Sequence, residues 1–185
     1  MELRALSYGD CEQVRIWRNE CLQALRTPYK LTKEQQEDFY TNTVCNRNAK
    51  ARYWGIWVIE QEDSCITVSD GTTIKFPKNT IIGMCGLETI EWENRRAEIS
   101  IILAPEFQGK GYGKQALRLL LEQGFKNMNL DNIWGECYTC NIAVEFWKKQ
   151  TKEYNAKCGL IDRTKYWEGK YYDSFYFNFR KEDFK

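Results

Sequence analysis

The sequence predicts a single α+β domain over residues 1–185, with a mixed, mostly antiparallel sheet of six to seven strands and helices on both faces. The length of 185 residues suits one domain with its own core. Several segments alternate apolar and polar residues, which is typical of strands, whereas residues 112–128 have the 3.6-residue period of an amphipathic helix. Because helical segments interrupt an otherwise meandering series of strands, a sheet covered by helices is the expected architecture.

The first third of the chain predicts one strand, two helices and a second strand. The opening "MELRALS" indicates a short strand, and the helical spacing that follows suggests Asp10 as a helix cap. Thr32 and Gln35 have the spacing of a capping box, in which each side chain satisfies the backbone of the other residue. The aromatic and β-branched residues of 51–60 then favour a strand.

The middle of the chain predicts hairpins. Asp70–Gly71 is a hairpin turn signal between β-type residues, so we expect an extra hairpin inserted into the sheet around residues 62–80. Residues 81–104 indicate two further strands that turn near Glu93–Asn94.

The last third predicts a long helix, a strand, a short helix and a closing hairpin. The long helix begins near Tyr112, the strand covers 132–138, the short helix covers 142–150, and the hairpin turns at Glu168–Gly169. The long helix has one apolar face, formed by Ala116, Leu117, Leu120, Leu121, Gly124, Phe125 and Met128.

Composition excludes several classes of function. The formal net charge is +1, with no basic field that would favour nucleic acid or an anionic membrane as partner. No stretch approaches the roughly 18 apolar residues of a membrane helix, and the N-terminus lacks a signal-peptide pattern, so we expect a cytoplasmic protein. The chain has no histidine, which excludes Ser-His-Asp and Cys-His catalysis as usually built.

The eight cysteines are scattered, and several lie in apolar runs. This distribution favours reduced, buried thiols. The one close pair, Cys137 and Cys140, is also compatible with a redox pair or half of a zinc site, but no second pair or histidine completes a zinc site. We therefore expect no bound metal.

Gly109, Gly111 and Gly113 lie between the apolar strand "ISIILAP" and the start of the long helix. The first turn of a helix presents unpaired N–H groups, and glycines let a phosphate approach them closely. The spacing of these glycines, and Gln115 after Gly113–Lys114, match neither the dinucleotide fingerprint nor a Walker A loop well. A pyrophosphate cradle and a tight turn without a ligand both remain open at this point.

The segment "AEISIILAPEFQGKGYGKQAL" resembles motif A of the GCN5-related N-acetyltransferases (GNAT), with Gln108, Gly111 and Gly113 at its defining positions. The tail "CGLIDRTKYWEGKYYDSFYF" resembles the closing hairpin of the branch that includes ribosomal-protein N-acetyltransferases. Asn141 resembles the family's fourth-helix motif, and "WRN" at 17–19 is similar to enzymes that acetylate nucleotide-linked amino sugars.

The resemblance implies that acetyl-CoA is the co-substrate and that no metal is needed. Its pyrophosphate would be held by the backbone amides of Gln108, Gly109, Lys110, Gly111, Tyr112 and Gly113. Lys110 or Lys114 would add positive charge. The strand at Ile101, Ile102 and Leu103 would pair with the pantetheine arm, the N–H near Ile102 would polarise the thioester carbonyl, and Asn141 would bind the arm or a water.

The resemblance also implies the catalytic groups. Glu98 is the first candidate for the base and Glu88 the second. The family's usual tyrosine acid on the fourth helix is replaced by Trp147, whose indole is not a useful acid. Tyr138, Tyr154 and solvent remain the alternatives for the acid, and Tyr138 is the residue we select.

The predicted function is transfer of an acetyl group from acetyl-CoA to a primary amine of a small molecule or amino sugar, without a covalent enzyme intermediate. Arg18, Arg26 and Tyr29 are candidates for binding a phosphate or carboxylate on the acceptor, although a surface role suits Arg18 as well. The alternatives are a protein N-terminus as acceptor, or a module that binds acyl-CoA without turnover. The aromatic tail is compatible with a packed hairpin, a stacking surface or the edge of a homodimer.

Overall fold

The computed structural model describes residues 1–59, 64–68 and 70–185. The strands of the described chain are β1 (Glu2–Arg4), β2 (Arg52–Val58), β3 (Ser64–Thr67), β4 (Thr73–Phe76), β5 (Thr80–Glu91), β6 (Arg96–Leu103), β7 (Asn132–Tyr138), β8 (Lys157–Trp167) and β9 (Lys170–Arg180). The helices are α1 (Tyr8–Asn19), α2 (Lys33–Phe39), α3 (Tyr112–Glu122) and α4 (Val144–Glu153). A π-helical turn extends α2 over Tyr40–Val44 and α3 over Gln123–Asn127.

Seven strands form one sheet in the order β1-β2-β5-β6-β7-β9-β8. Neighbouring strands are antiparallel except β6 and β7, which are parallel. Both predicted turns are present, since β5 and β6 are joined at 92–95 and β8 and β9 at 168–169. The predicted mixed, mostly antiparallel sheet is therefore confirmed.

The extra hairpin predicted around residues 62–80 is formed by β3 and β4. These strands pair with each other in a two-stranded sheet of their own, so the hairpin is an appendage rather than part of the main sheet. Residues 62, 63 and 69 of the predicted hairpin lie outside the described residues.

Helices cover both faces of the sheet, as predicted. Gly124, in the extension of α3, lies against Leu87 and Ile133. Glu88 follows Leu87 in β5 and points to the opposite face, where it lies in a cleft together with Val14 of α1. In the described part of the chain, no helix is both long enough and apolar enough to cross a membrane.

The start of α1 differs from the prediction by three residues. Ser7, not Asp10, is the N-cap, and Asp10 is the third helical residue that completes a capping box with Ser7. The prediction chose the acidic residue nearest the apolar period and overlooked the serine three positions earlier. The capping box of Thr32 and Gln35 at α2 is confirmed.

All eight cysteines are free thiols, and three of them are buried: Cys11, Cys85 and Cys137. The expectation of buried thiols was wrong for Cys45, Cys65 and Cys158, which are exposed. Among the described residues no group of three or more histidine, cysteine, aspartate or glutamate side chains has the arrangement of a metal site.

The parallel strands β6 and β7 part soon after they meet. They are paired only over Arg96–Glu98 and Asn132–Trp134. Beyond Glu98, β6 keeps its partner β5 on one edge, but its other edge has no strand partner in the described chain. Gly135 lies just past the last pair, and the ring of Phe177 and the Cγ2 of Ile99 occupy the space where its side chain would be.

We predict that Gly135→Ala destabilises the protein by about 1–3 kcal/mol, because a Cβ there would lie 2.5 Å from Phe177 Cζ and 2.8 Å from Ile99 Cγ2. Gly159→Ala on β8 is the matched control, since nothing lies within 4 Å of its added Cβ. Urea denaturation of both variants measures the difference. Equal stability of the two variants would contradict the packing described at the point where β6 and β7 part.

Candidate active site

A cleft of about 440 Å³ lies on the α1 face of the sheet, at the point where β6 and β7 separate. Its walls come from α1, residues 24–27, α2, the strands β2, β5, β6 and β7, and the beginning of α4. The separated edge of β6 borders the cleft through Ile101 and Ile102. Unpaired backbone groups of β6 and side chains of four strands therefore face one space.

Three carboxylates form a row across one wall of the cleft. Glu88 on β5 is directly opposite Glu98 on β6 in the antiparallel register. Glu98 is in register with Trp134 on β7, and Glu136 lies two residues further on the same face. The alternation of side chains along the strands thus places Glu88, Glu98 and Glu136 side by side.

Arg26 joins two of these carboxylates. Its guanidinium donates two hydrogen bonds to Glu98, with Nη1 3.0 Å from Oε2, and a third from Nη2 to Glu136 Oε2 at 3.0 Å. The Glu98 side chain is only 9% exposed and that of Glu136 17%. Two buried like charges repel each other, so the shared arginine is what makes their proximity tolerable.

The surroundings shift the proton affinities of the cleft residues. Burial raises the pKa of Glu98, and the nearby carboxylates of Glu88 and Glu136 add to the increase, while Arg26 opposes it. Burial also raises the pKa of Tyr138, at the end of β7, with a further contribution from Glu136. Glu98 is therefore a better proton acceptor than an exposed glutamate, and Tyr138 retains its proton at neutral pH.

Arg18 lies in the last turn of α1 and faces the same cleft. Burial lowers its pKa, and the carboxylate of Glu88 partly opposes this effect. Its Nη1 atom is buried and has no hydrogen-bond partner in the described structure. The cleft therefore contains one arginine that is paired and one that is not.

The glycine loop follows the open edge of β6. Gly109 and Gly111 have φ angles of 71° and 85°, which side-chain-bearing residues rarely adopt. Gly111 is the N-cap of α3 and supplies no side chain to cap it. Within the described part of the chain, the backbone amides of 109–114 have no hydrogen-bond acceptor, so they are free to bind an anion.

A family model described as an acetyltransferase (GNAT) domain matches residues 1–145. The chain belongs to the GNAT acetyltransferase family. It is accordingly an N-acetyltransferase, as the resemblance of its glycine loop and tail predicted, and GNAT acetyltransferases use acetyl-CoA.

Known proteins resemble this GNAT chain over 57% to all of its length. A spermidine N(1)-acetyltransferase of Vibrio cholerae is 27% identical over 188 residues, covering all of this chain and 90% of that protein. A putative ribosomal N-acetyltransferase of Bacillus subtilis, YdaF, is 24% identical over 57% of each chain. The crystal structure of spermidine N-acetyltransferase from Vibrio cholerae in complex with CoA and spermine has the same fold, with a TM-score of 0.77 at 21% identity and coverage of 99% of this chain and 96% of that one.

The predicted cradle residues of the GNAT loop lie together, but both lysines have partners within the protein. Lys110 Nζ donates to the carbonyl of Thr67 on the β3–β4 hairpin at 2.9 Å. Lys114 Nζ is 2.8 Å from Glu153 Oε1 of α4. Gln108 closes the loop by donating from Nε2 to the carbonyl of Leu103 at 3.0 Å.

The candidates for the GNAT proton donor separate clearly in space. Tyr138 borders the cleft, whereas Tyr154 packs against Phe179 at the far end of α4. Trp147 also borders the cleft and stacks on Phe177, with ring centroids 4.5 Å apart.

Of the remaining predicted site residues, three border the cleft and one does not. Asn141 borders the cleft in the turn before α4, and its Oδ1 accepts the N–H of Ala143, the N-cap residue of that helix, at 2.9 Å. Of the three predicted acceptor residues, Arg18 and Arg26 border the cleft. Tyr29 is 59% exposed and is not among the described residues that line the cleft.

Glu136 and Lys165 were not predicted from the sequence. Glu136 is a charged residue between Trp134 and Tyr138 in an otherwise apolar strand, which was a usable signal. Lys165 is 5% exposed on β8 and donates from Nζ to the carbonyl of Leu25, next to Arg26. It lies 5.2 Å from the centre of the Tyr138 ring. No local pattern indicates this contact, because the residues are 140 positions apart.

We predict that Lys165→Met increases backbone amide exchange over residues 22–27 about tenfold or more, because a hydrogen bond from a charged donor contributes about 1.5–3 kcal/mol. Lys157→Met, on the exposed end of the same strand, is the control. Hydrogen-exchange mass spectrometry measures both variants. Unchanged exchange in this segment would show that Lys165 does not hold it.

Proposed function

We propose that this protein transfers the acetyl group of acetyl-CoA directly to a primary amine of a small molecule. The main support is the position of Glu98, a buried carboxylate with a raised pKa, at the point where the open edge of β6 meets the cleft. A thioester aligned along that edge and an amine beside Glu98 would react without a covalent enzyme intermediate.

The open edge and the glycine loop fit coenzyme A. The free amides at the start of α3 suit a pyrophosphate, and an added Cβ at Gly109 or Gly111 would contact nothing, so the space in front of them is open. Bound there, acetyl-CoA supplies an acetyl thioester. The backbone of Ile101–Leu103 would align the pantetheine arm, and the N–H near Ile102 would polarise the thioester carbonyl.

Further groups around the loop would complete this binding site. Asn141, whose side-chain amide nitrogen has no partner within the described chain, would donate to the arm or to a water. Lys110 and Lys114 would need to leave Thr67 and Glu153 to contact the phosphates directly, so we assign them to electrostatic attraction.

Glu98 and Tyr138 would manage the protons. An ammonium has no lone pair, so Glu98 would accept a proton from the incoming amine, directly or through water. Tyr138, whose raised pKa keeps it protonated, would donate a proton to the departing thiolate. This assignment places the acid on β7 instead of α4, where Trp147 has no acidic proton to give.

The acceptor is a small molecule in this proposal because the cleft of about 440 Å³ is lined by charged side chains from three strands and α1. The names of the similar Vibrio cholerae proteins make spermidine and spermine the first acceptors to assay. Two alternatives to this function are a protein N-terminus as the acceptor and binding of acyl-CoA without turnover. Assays with a panel of amines and peptides would distinguish both of them from the proposed function.

We predict that Gly111→Ala raises the KM for acetyl-CoA about tenfold. The matched control is Gly169→Ala, in the β8–β9 turn, because its φ of 81° gives similar backbone strain of about 1–2 kcal/mol away from the cleft. Steady-state kinetics and calorimetric titration with coenzyme A measure the effect. Equal coenzyme affinity in the two variants would contradict the cradle.

We predict that Glu98→Gln lowers kcat about a hundredfold or more, the usual contribution of a general base, with coenzyme affinity unchanged. The carboxylate is the active form, so wild-type kcat should fall as the pH drops through a pKa above the ordinary 4.5 of glutamate. The variant should lack this acidic limb. Glu88→Gln is the comparison, and full activity of Glu98→Gln with loss in Glu88→Gln would transfer the role to Glu88.

A further inference from the structure

The guanidinium of Arg18 lacks a partner inside the cleft. Five buried side-chain nitrogen or oxygen atoms in the described structure have no hydrogen-bond partner, and Arg18 Nη1 is the one that belongs to a charged group. No carboxylate of the described chain forms an ion pair with Arg18, and no carbonyl accepts from it. Such a group is costly to bury unless a ligand completes its hydrogen bonds.

The groups that face Arg18 do not satisfy it. Glu88 is the acidic group whose charge acts on Arg18, and the same charge also acts on the hydroxyl of Tyr53, whose pKa it helps to raise. Cys21, Tyr53 and Tyr29 also lie close enough to Arg18 to act on its charge. Arg18 Nη1 therefore keeps a hydrogen-bond donor that nothing in the described structure uses.

Charged side chains form a row across the wall of the cleft, with an arginine at one end and a second arginine between two of the three carboxylates. The order is Arg18, Glu88, Glu98, Arg26 and Glu136, following α1, β5, β6, the 24–27 segment and β7. Arg26 is already paired with two carboxylates, whereas Arg18 has a free edge of its planar fork. An acceptor whose amine reaches Glu98 would extend its other end along this row towards Arg18.

Resting on the function proposed above, we propose that Arg18 binds an oxyanion, a carboxylate or a phosphate, on the same acceptor molecule that presents the amine to Glu98. The planar guanidinium matches both anions with two parallel hydrogen bonds. The preferred acceptors are then amines that bear an acidic group, in contrast to the polyamines in the names of the similar proteins.

The test uses pairs of acceptors that differ in the acidic group. γ-Aminobutyrate is compared with n-butylamine for a carboxylate, and O-phosphoethanolamine with ethanolamine for a phosphate; spermidine is assayed beside them. Thiol release gives kcat/KM for each. We expect the acidic member of at least one pair to be used at least tenfold more efficiently, and the pair in which this occurs identifies the anion. Preference for the amine without the acid in both pairs, or for spermidine over all of them, overturns the proposal.

Substitutions of Arg18 distinguish a role in binding the acceptor from a purely structural role. Arg18→Met should lose about tenfold to a hundredfold in kcat/KM on the acidic acceptor, the range expected for a charge-assisted hydrogen bond, and change little on its partner compound. Arg18→Lys should recover part of the loss, and Arg118→Met, on the exposed side of α3, should lose nothing. An equal loss on both members of a pair would assign Arg18 a structural role and overturn the proposal.

Product binding provides a readout that does not need turnover. N-acetyl-γ-aminobutyrate should bind the wild-type protein at least tenfold more tightly than N-butylacetamide by calorimetry, and this difference should disappear in Arg18→Met. Failure of every amine to react would contradict the proposed function while leaving this measurement intact. Equal affinities for the two products, together with equal affinities for N-acetylated phosphoethanolamine and ethanolamine, would contradict the anion site alone.

Discussion

The separation of β6 from β7 after Glu98 is the constraint on which the rest of the site depends. Parallel strands that stayed paired would satisfy the backbone groups of 99–103 within the sheet and leave no space between them. Since they part, one edge of β6 remains available, and the cleft opens beside it. The same strand ends at the glycine loop, so a backbone edge and a set of free helix amides are consecutive in the chain.

The negative charges of the carboxylates that border this opening must be neutralised, and residues that are distant in the sequence supply and position the neutralising positive charge. Arg26 comes from the segment before α2, and Lys165 of β8 holds the carbonyl of the preceding residue. Cys140 adds a contact from Sγ to the carbonyl of Gln23 at 3.5 Å. The closing hairpin and the end of β7 thus fix the segment that neutralises Glu98 and Glu136, which couples the last part of the fold to the chemistry at its centre.

Sequence reasoning succeeded where the determinant is local. The apolar period of α3, the turn at Glu168–Gly169 and the capping box of α2 each involve residues within a few positions of each other. The contacts that define the cleft are of another kind: Arg26 meets Glu98 and Glu136 over separations of 72 and 110 residues. Charge pairing over such distances depends on the order and register of the strands. No local sequence pattern gives these, so the pairs become visible only in the assembled sheet.

The arrangement of the cleft also constrains how protons would move in the proposed reaction. Trp147 stacks on Phe177 and packs edge-on against Phe146. At this position α4 therefore gives the cleft an aromatic wall and no titratable group. Tyr138 instead shares its surroundings with Glu136 and Arg26, the residues that also determine the state of Glu98. Proton acceptor and proton donor would then belong to one electrostatic cluster on adjacent strands. Protonation of either group alters the field at the other, so the two proton transfers are coupled.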